Sequence, residues 1–410
     1  MNTHYHIWVD QDYIQFHKNI TVHWSSSNRS SNDDDEDKHH RIAKEVNNLI
    51  RDDDMIALYC PANETNPTNF WEAATVKQAR SSNSTMNGDN NDGASWYIPS
   101  FPIIREETCS FRLLRGHPPT TSSSSNHDVE QTNSNVMKVL ARSNTIQVVN
   151  SLSTPTGIHL ALSEYTDEMR VHFATGQKGI PIVQFGEATT TEDFVSSGIR
   201  TAQGRSHSYT ASDLCMAPAN ESGVGKFVSP GSLHVVTLNN LVEDTMYAYR
   251  VGVVHDVNAT TDSFFDFIHR TNHTYDGGSN NDRFNDDNVV WSEIYTFRSA
   301  LPPATAPSDQ HSPYSFIVYG DQGCPSNGWG DGSTRTQRWV QREVLNNHPS
   351  STIVQAIHHV GDLSYAMGAA HVWDAWLAMI QPVTARVPLM VSVGNHEYDH
   401  TNGGGGGVDP

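Results

Sequence analysis

Three short apolar runs between residues 314 and 400 constrain this chain most, because each runs into a small polar cluster that opens with glycine. Ser315-Phe316-Ile317-Val318-Tyr319 leads into Gly320-Asp321-Gln322-Gly323. Residues 353–360 lead into Gly361-Asp362-Leu363-Ser364-Tyr365, and residues 387–393 into Gly394-Asn395-His396-Glu397. Two segments of helical periodicity lie between the runs. The first spans 335–346, with Trp339, Val340, Val344 and Leu345 as apolar members and Ser333 or Thr334 as N-cap. The second spans 371–385 and carries Val372, Trp373, Trp376, Leu377 and Ile380. Strand alternating with helix predicts a parallel sheet with right-handed crossovers. In such sheets ligand-binding groups gather beyond the carboxyl ends of the strands, where all three clusters fall.

Those clusters carry metal chemistry. Glycine lets the backbone turn sharply off a strand and pass close to a ligand. Asp321, Asp362 and Asn395 present hard oxygens at three neighbouring strand ends, donors suited to a metal rather than to a nucleophilic triad. One carboxylate is placed to bridge two ions about 3.5–4 Å apart, as two-metal phosphatases require. Tyr365, three residues after Asp362, reaches the same place, and a phenolate is an anionic donor that favours a trivalent ion such as Fe(III). His396 follows a metal-facing asparagine and so meets substrate rather than the ion.

In this order and spacing the clusters resemble the first three of five metal motifs of purple acid phosphatases. The resemblance implies a binuclear acid phosphatase that hydrolyses phosphate monoesters with a metal-bound hydroxide as nucleophile. It implies that Asp321 binds Fe(III), that Asp362 bridges both metals, and that Tyr365 gives the iron its charge-transfer colour. Asn395 would bind the second, divalent metal (Zn, Mn or Fe), and His396 would contact the phosphate. His358 and His359 lie just before Gly361-Asp362, where the family often has a supporting histidine. The family's last two motifs bring further histidines from beyond the third motif, and the 410 residues end before any such motif. Residues 310–410 are therefore read as the first half of an α/β metallophosphoesterase domain, a fragment inactive alone. A continuing sequence with Val-x-x-His and Gly-His-x-His would decide for the enzyme. The alternative is a non-catalytic β-sandwich binding protein with a vestigial metallophosphatase segment. A phosphodiesterase of the same superfamily is disfavoured by Tyr365.

Upstream the pattern is all β. Residues 1–150 read as a sandwich of short strands, at 13–24, 55–60, 71–76, 96–101 and 109–115, with alternation clear in Ile20, Val22 and Trp24. Polar low-complexity stretches interrupt it, including the acidic run at 33–37, and one or two helical turns are expected at 42–51. The domain is similar to the extra N-terminal β-domain of longer plant-type members of the family. Residues 117–135 read as a linker. Residues 151–300 give seven strands, the count of a fibronectin-III-like sandwich. Leu241 followed by Tyr247-Ala248-Tyr249 looks like its tyrosine corner, and 255–288 reads as an exposed loop. The fold class is thus multidomain: two all-β sandwiches, the second fibronectin-III-like, then the incomplete α/β domain.

Composition bounds the partners. A formal net charge of −20 excludes a nucleic-acid surface and leaves any metal to supply most of the attraction for a phosphate ester. No apolar run is long enough to span a bilayer, so no membrane partner is expected. The first residues lack the basic and apolar regions of a signal peptide, although the family is secreted or vacuolar, routed through the secretory pathway. Cys60 closes one strand and Cys109 opens another, which suits a cross-sheet disulfide in an oxidising compartment; Cys215 and Cys324 fall in different domains, and Cys324 is read as structural or free. Sequons at Asn19, Asn28, Asn63, Asn83, Asn220, Asn258 and Asn272 fit a glycoprotein.

Overall fold

The computed structural model describes residues 2–16, 18–29, 50–65, 72–83, 95–98, 102–116, 137–188, 190–195, 198–214, 220–221, 227–254, 289–301, 314–325, 330–345, 353–366 and 371–397. Of the expected helical turns at 42–51 only Ile50 and Arg51 are described, and neither is helical; the acidic run, the linker at 117–135, the loop at 255–288 and Cys215 lie outside the described residues. The chain divides into two compact units, Met1–Ser151 and Leu152–Pro410.

In the first unit the chain runs through β1 (Asn2–Val9), β2 (Tyr13–Ile14), β3 (Ile20–Arg29), β4 (Met55–Tyr59), β5 (Glu72–Thr75), α1 (Val76–Asn83), β6 (Ser95–Ile98), β7 (Thr108–Arg115), β8 (Lys138–Arg142) and β9 (Ile146–Val148). One sheet has the order β1-β3-β6; the other runs β2-β9-β7-β4-β5, with β8 paired to β7. Strand β1 has the period-2 pattern of a half-buried strand: Ile7 and Val9 are buried, His6 and Trp8 exposed. Helix α1 opens on a capping box, in which Thr75 Oγ1 accepts from Gln78 N at 3.2 Å and Gln78 Oε1 accepts from Thr75 N at 2.9 Å. Trp24, Ile56, Leu58, Phe111 and Leu113 are fully buried. The expected Cys60–Cys109 disulfide is formed, with Cα atoms 4.4 Å apart. Asp54, which is buried, receives Arg115 through two bonds, Nε to Oδ1 at 2.8 Å and Nη2 to Oδ2 at 2.7 Å. That bidentate pair satisfies a carboxylate that would be costly to bury alone.

The second unit begins with a sandwich that has eight strands among the described residues rather than the expected seven. These are β10 (Thr156–Leu162), β11 (Met169–Thr175), β12 (Ile180–Glu187), β13 (Arg200–Gln203), β14 (Arg205–His207), β15 (Ser232–Leu238), β16 (Met246–Val254) and β17 (Tyr295–Arg298). The extra strand arises at Gly204, where the chain passes from one sheet to the other and a Cβ would collide with the Val235 carbonyl. The sheets run β10-β11-β15-β14 and β13-β12-β16-β17, and Leu160, Val171, Phe185, Val236, Tyr247 and Phe297 share the core between them. The tyrosine corner is present: Val242 N donates to Tyr247 Oη at 2.9 Å.

On β10 and β11 the paired His159 and His172 rings stack, 4.9 Å between centroids. Burial, helped by the nearby His159, Arg170 and His207, pushes His172 down to about 3. Burial lowers His159 too, partly offset by its hydrogen bond to the Gly157 carbonyl. An unfolded histidine titrates near 6.5, so as the pH falls the unfolded chain takes up its protons first. The stabilisation is whole above about pH 6.5 and declines toward pH 3. Urea unfolding at pH 7 and pH 5 is expected to show a loss of roughly 1–2 kcal/mol assignable to His172, and His172→Phe should flatten that slope. An unchanged pH slope in the variant would reject this assignment.

The same unit ends in a three-stranded parallel sheet, β18 (Tyr314–Tyr319), β19 (Ile353–His359) and β20 (Leu389–Val391), in that order. Helices α2 (Gly330–Leu345) and α3 (His371–Thr384) are its crossovers. Ile317, Ile357 and Leu389 pack with Val340 of α2 and with Val372, Trp376 and Ile380 of α3. Phe316, Val318 and Val360 stay exposed, an open face for a sheet type usually covered on both sides. Helix α3 also seats the sheet on the sandwich. Gln381 Oε1 accepts from Ile158 N at 3.1 Å, its Nε2 donates to Tyr295 Oη at 2.9 Å, and Tyr249 Oη donates to the Ala385 carbonyl at 2.8 Å.

The start of α2 differs from expectation. It begins at Gly330, so Ser333 and Thr334 lie inside the helix and neither is its cap. Its buried positions are Ser333, Gln337 and Val340, spaced four and three apart, whereas Trp339 and Leu345 are exposed. Polar residues on the buried stripe shifted the apparent apolar face. Gln337 has a partner there: its Oε1 lies 3.5 Å from Gln322 Nε2.

Candidate metal centre

The three polar clusters meet at one end of the parallel sheet. Backbone bonds continue the β18–β19 pairing past the strands: Asp321 N donates to the Gly361 carbonyl at 3.2 Å, Gln322 N to that of Asp362 at 3.2 Å, and Gly323 N to that of Leu363 at 2.9 Å. This extension holds the first two clusters side by side. Asp321, Asp362 and Tyr365 all have left-handed backbone, with φ of +56°, +53° and +53°. For residues with a Cβ that conformation is uncommon and costs on the order of 1–3 kcal/mol, and such strain concentrates at functional sites. Here it turns all three side chains toward one point.

That point is the Tyr365 hydroxyl. It lies 3.2 Å from Asp321 Oδ1 and 3.5 Å from Asp362 Oδ2. Burial raises the phenol pKa, and the two carboxylates raise it further. One phenolic proton thus stands between two anions, an arrangement in which a cation would be strongly favoured over the proton. Asp362 and Tyr365 are buried, while Asp321 is exposed and opens the cluster to solvent.

The third cluster is held against the second. Asn395 and His396 follow β20 in a short 3₁₀ turn, Asn395–Glu397. His396 N donates to Asp362 Oδ1 at 3.0 Å, and its ring packs against that of Tyr365, 4.5 Å between centroids. Nδ1 of His396 is buried and has no hydrogen-bond partner among the described residues. Asn395 is exposed at the rim. The two glycines make the approach possible: a Cβ on Gly394 would fall on Asp362 Oδ1 and N, and one on Gly361 would fall on Gly394. His359 lies beneath, buried, its ring edge-on to Tyr319 and Trp376. Burial pushes it down to about 4, with Glu397, Asp321 and Asp362 opposing that shift.

The structure thus brings Asp321, Asp362, Tyr365 and His396 together and leaves Asn395 beside them. Converging hard oxygens and an orphaned imidazole nitrogen fit a metal site. Among the described residues no group of three or more His, Cys, Asp or Glu is placed to hold an ion, so tyrosine and amide oxygens have to complete any donor set here. Cys324, buried as a thiol, belongs to the core beneath the sheet.

Glu397 was passed over in the sequence, although it closes the third cluster. Its Oε2 accepts from Asp362 N and from Gly394 N, both at 2.8 Å, and its Oε1 accepts from Leu363 N at 2.8 Å. The signal was legible: an acidic residue three positions after the residue that opens a helical turn is half of a capping box.

The profile of the purple acid phosphatase N-terminal domain matches residues 155–268. Over 271 residues the chain is 28% identical to an Arabidopsis thaliana protein named probable inactive purple acid phosphatase 9, covering 64% of this chain and 34% of that protein. It is 28% identical over 279 residues to probable inactive purple acid phosphatase 27 of the same plant, covering 65% and 37%. A nucleotide pyrophosphatase/phosphodiesterase from Hordeum vulgare is 35% identical over 140 residues, covering 32% and 34%. The chain therefore spans about a third of the length of these curated relatives. Among solved structures, purple acid phosphatase PPD1 from yellow lupin (Lupinus luteus) superposes with a TM-score of 0.63 at 21% identity, covering 97% of this chain and 58% of that one, a likeness of fold.

Proposed function

We propose, from the premise that this chain belongs to the purple acid phosphatase family, that the depression beyond β18, β19 and β20 is part of a site for phosphate monoesters. Asp321, Asp362 and Tyr365 would hold Fe(III), and Asp362 with Asn395 a divalent ion, Zn, Mn or Fe. When bound, such a pair supplies Lewis-acid polarisation of the phosphoryl group and activation of water. The chain's own residues do the rest. The left-handed turns aim two carboxylates and a phenol at one place. His396, whose ring packs against that of Tyr365, would present its imidazole to a phosphoryl oxygen. With a net charge of −20, the chain leaves a bound metal to supply most of the attraction for a phosphate ester.

The observation that carries this reading is the Tyr365 hydroxyl within 3.2 Å of Asp321 Oδ1 and 3.5 Å of Asp362 Oδ2. The test is spectroscopic. Loaded with Fe(III), the chain is expected to show a visible phenolate-to-iron absorption band that Tyr365→Phe abolishes. A band of full strength in the variant would reject the ligand assignment. We further propose a secreted or vacuolar setting, which the Cys60–Cys109 disulfide supports.

A second reading is favoured by two observations. The two Arabidopsis relatives that match 64% and 65% of this chain are named probable inactive, and the described divalent position has only Asp362 and Asn395 as donors. In that reading the protein binds a metal or phosphate ligand without turnover. Metal analysis by mass spectrometry, together with hydrolysis of p-nitrophenyl phosphate in acidic buffer, separates the two. One ion per chain without turnover would support the non-catalytic reading; two tightly held ions with turnover would support the enzyme.

A further inference from the structure

We propose that Glu397 is a positioning residue that locks the spacing between the loop bearing Asp362 and the loop bearing Asn395 and His396. The proposal rests on the metal-site reading above for its purpose, but its geometry stands independently. A single carboxylate accepts three backbone N–H groups, from Asp362 and Leu363 on one loop and from Gly394 on the other, each at 2.8 Å. Both oxygens are engaged, and Oε2 spans the gap between the loops by itself. Charge-assisted bonds from backbone N–H to a carboxylate are stronger than neutral ones, and three of them fix the position of all three amides.

Nothing else described at this junction does the same work. The loops touch where Gly361 meets Gly394, and glycine has no side chain with which to hold that contact. Ser392 N bonds the His359 carbonyl at 2.9 Å before either glycine, and the link beyond them, His396 N to Asp362 Oδ1, uses a carboxylate oxygen that a metal would compete for. Glu397 bonds only backbone, so its grip would survive when Asp362 turns to an ion. The left-handed turn at Asp362, φ +53°, also needs an external hold, because an L-residue there tends to relax toward commoner conformations. With the Asp362 and Leu363 amides pinned, the side chain is presented before any ligand arrives.

Glutamine tests this most sharply, because it keeps size and reach. Its amide nitrogen would face a backbone N–H, donor against donor, so at least one of the three bonds is lost. In Glu397→Gln, amide hydrogen exchange followed by NMR should lose at least tenfold protection at Asp362, Leu363 and Gly394. The amides within β18–β20 should stay protected, which shows that the domain is still folded. Affinity for Fe(III) or Zn(II), titrated calorimetrically, should fall at least tenfold in the same variant. Unchanged protection at the three amides would overturn the proposal, as would lost protection with undiminished metal affinity. If the wild-type chain binds neither ion, the metal reading fails, and the clamp is then judged by the exchange data alone.

Discussion

Reduction of the Cys60–Cys109 bond is expected to destabilise the unit Met1–Ser151 by about 4 kcal/mol. The bridge closes a loop of 49 residues, and the chain-entropy relation gives that magnitude for a loop of this length. The loop contains β5, α1 and β6. Both cysteines are buried, so the freed thiols stay in the core and the cost is not offset by their solvation. The measurement is urea unfolding of the wild type and of a Cys60→Ala/Cys109→Ala variant. The early transition should move while that of Leu152–Pro410 stays in place. A shift below about 1 kcal/mol would mean that the unfolded chain is already compact across this loop.

Much of the architecture was legible because apolar alternation and glycine are strong local signals. Strand β7 begins one residue before the span 109–115 that its pattern predicts, and β4 ends one residue short of 55–60. The parallel sheet followed from the order of its runs, and the three clusters followed from Gly320, Gly361 and Gly394. What escaped depended on tertiary partners. Strand β1 was overlooked because the first residues were weighed only as a leader. Its inward Ile7 and Val9 are few, and the neighbouring histidines are common on either side of a sheet. The first turn of α2 was missed because its buried Ser333 and Gln337 are polar and find their place only against the Gln322 turn. Glu397 looked like an ordinary surface acid, since the backbone groups it binds come mainly from residues 34 and 35 positions away. The stacked pair His159 and His172 was equally invisible, because only the β10–β11 register brings the rings together.

Trp376→Ala is expected to cost the Leu152–Pro410 unit about 3–5 kcal/mol, the range for removing a large aromatic from a packed core. Trp376 is 2% exposed, between the sheet and α3. It touches the site from below in two ways. Its Nε1 donates to Gln322 Oε1 at 3.2 Å, and its ring meets His359 edge-on, 5.9 Å between centroids. Gln322 in turn belongs to the turn whose amides bond the carbonyls of Asp362 and Leu363. A cavity there would loosen the floor on which Asp321 and Asp362 are aligned, so metal affinity should fall together with stability. Trp376→Phe separates the two effects. It keeps most of the volume but leaves Gln322 Oε1 with only the Tyr319 hydroxyl at 3.5 Å, a loss of about 1 kcal/mol or slightly more. Urea unfolding should therefore rank the variants Ala, Phe, wild type in rising stability, with the iron band of the Ala variant weakened and that of Phe nearly intact. If the Ala variant unfolds normally but still loses the band, Trp376 acts on the site through His359 and Gln322 rather than through packing.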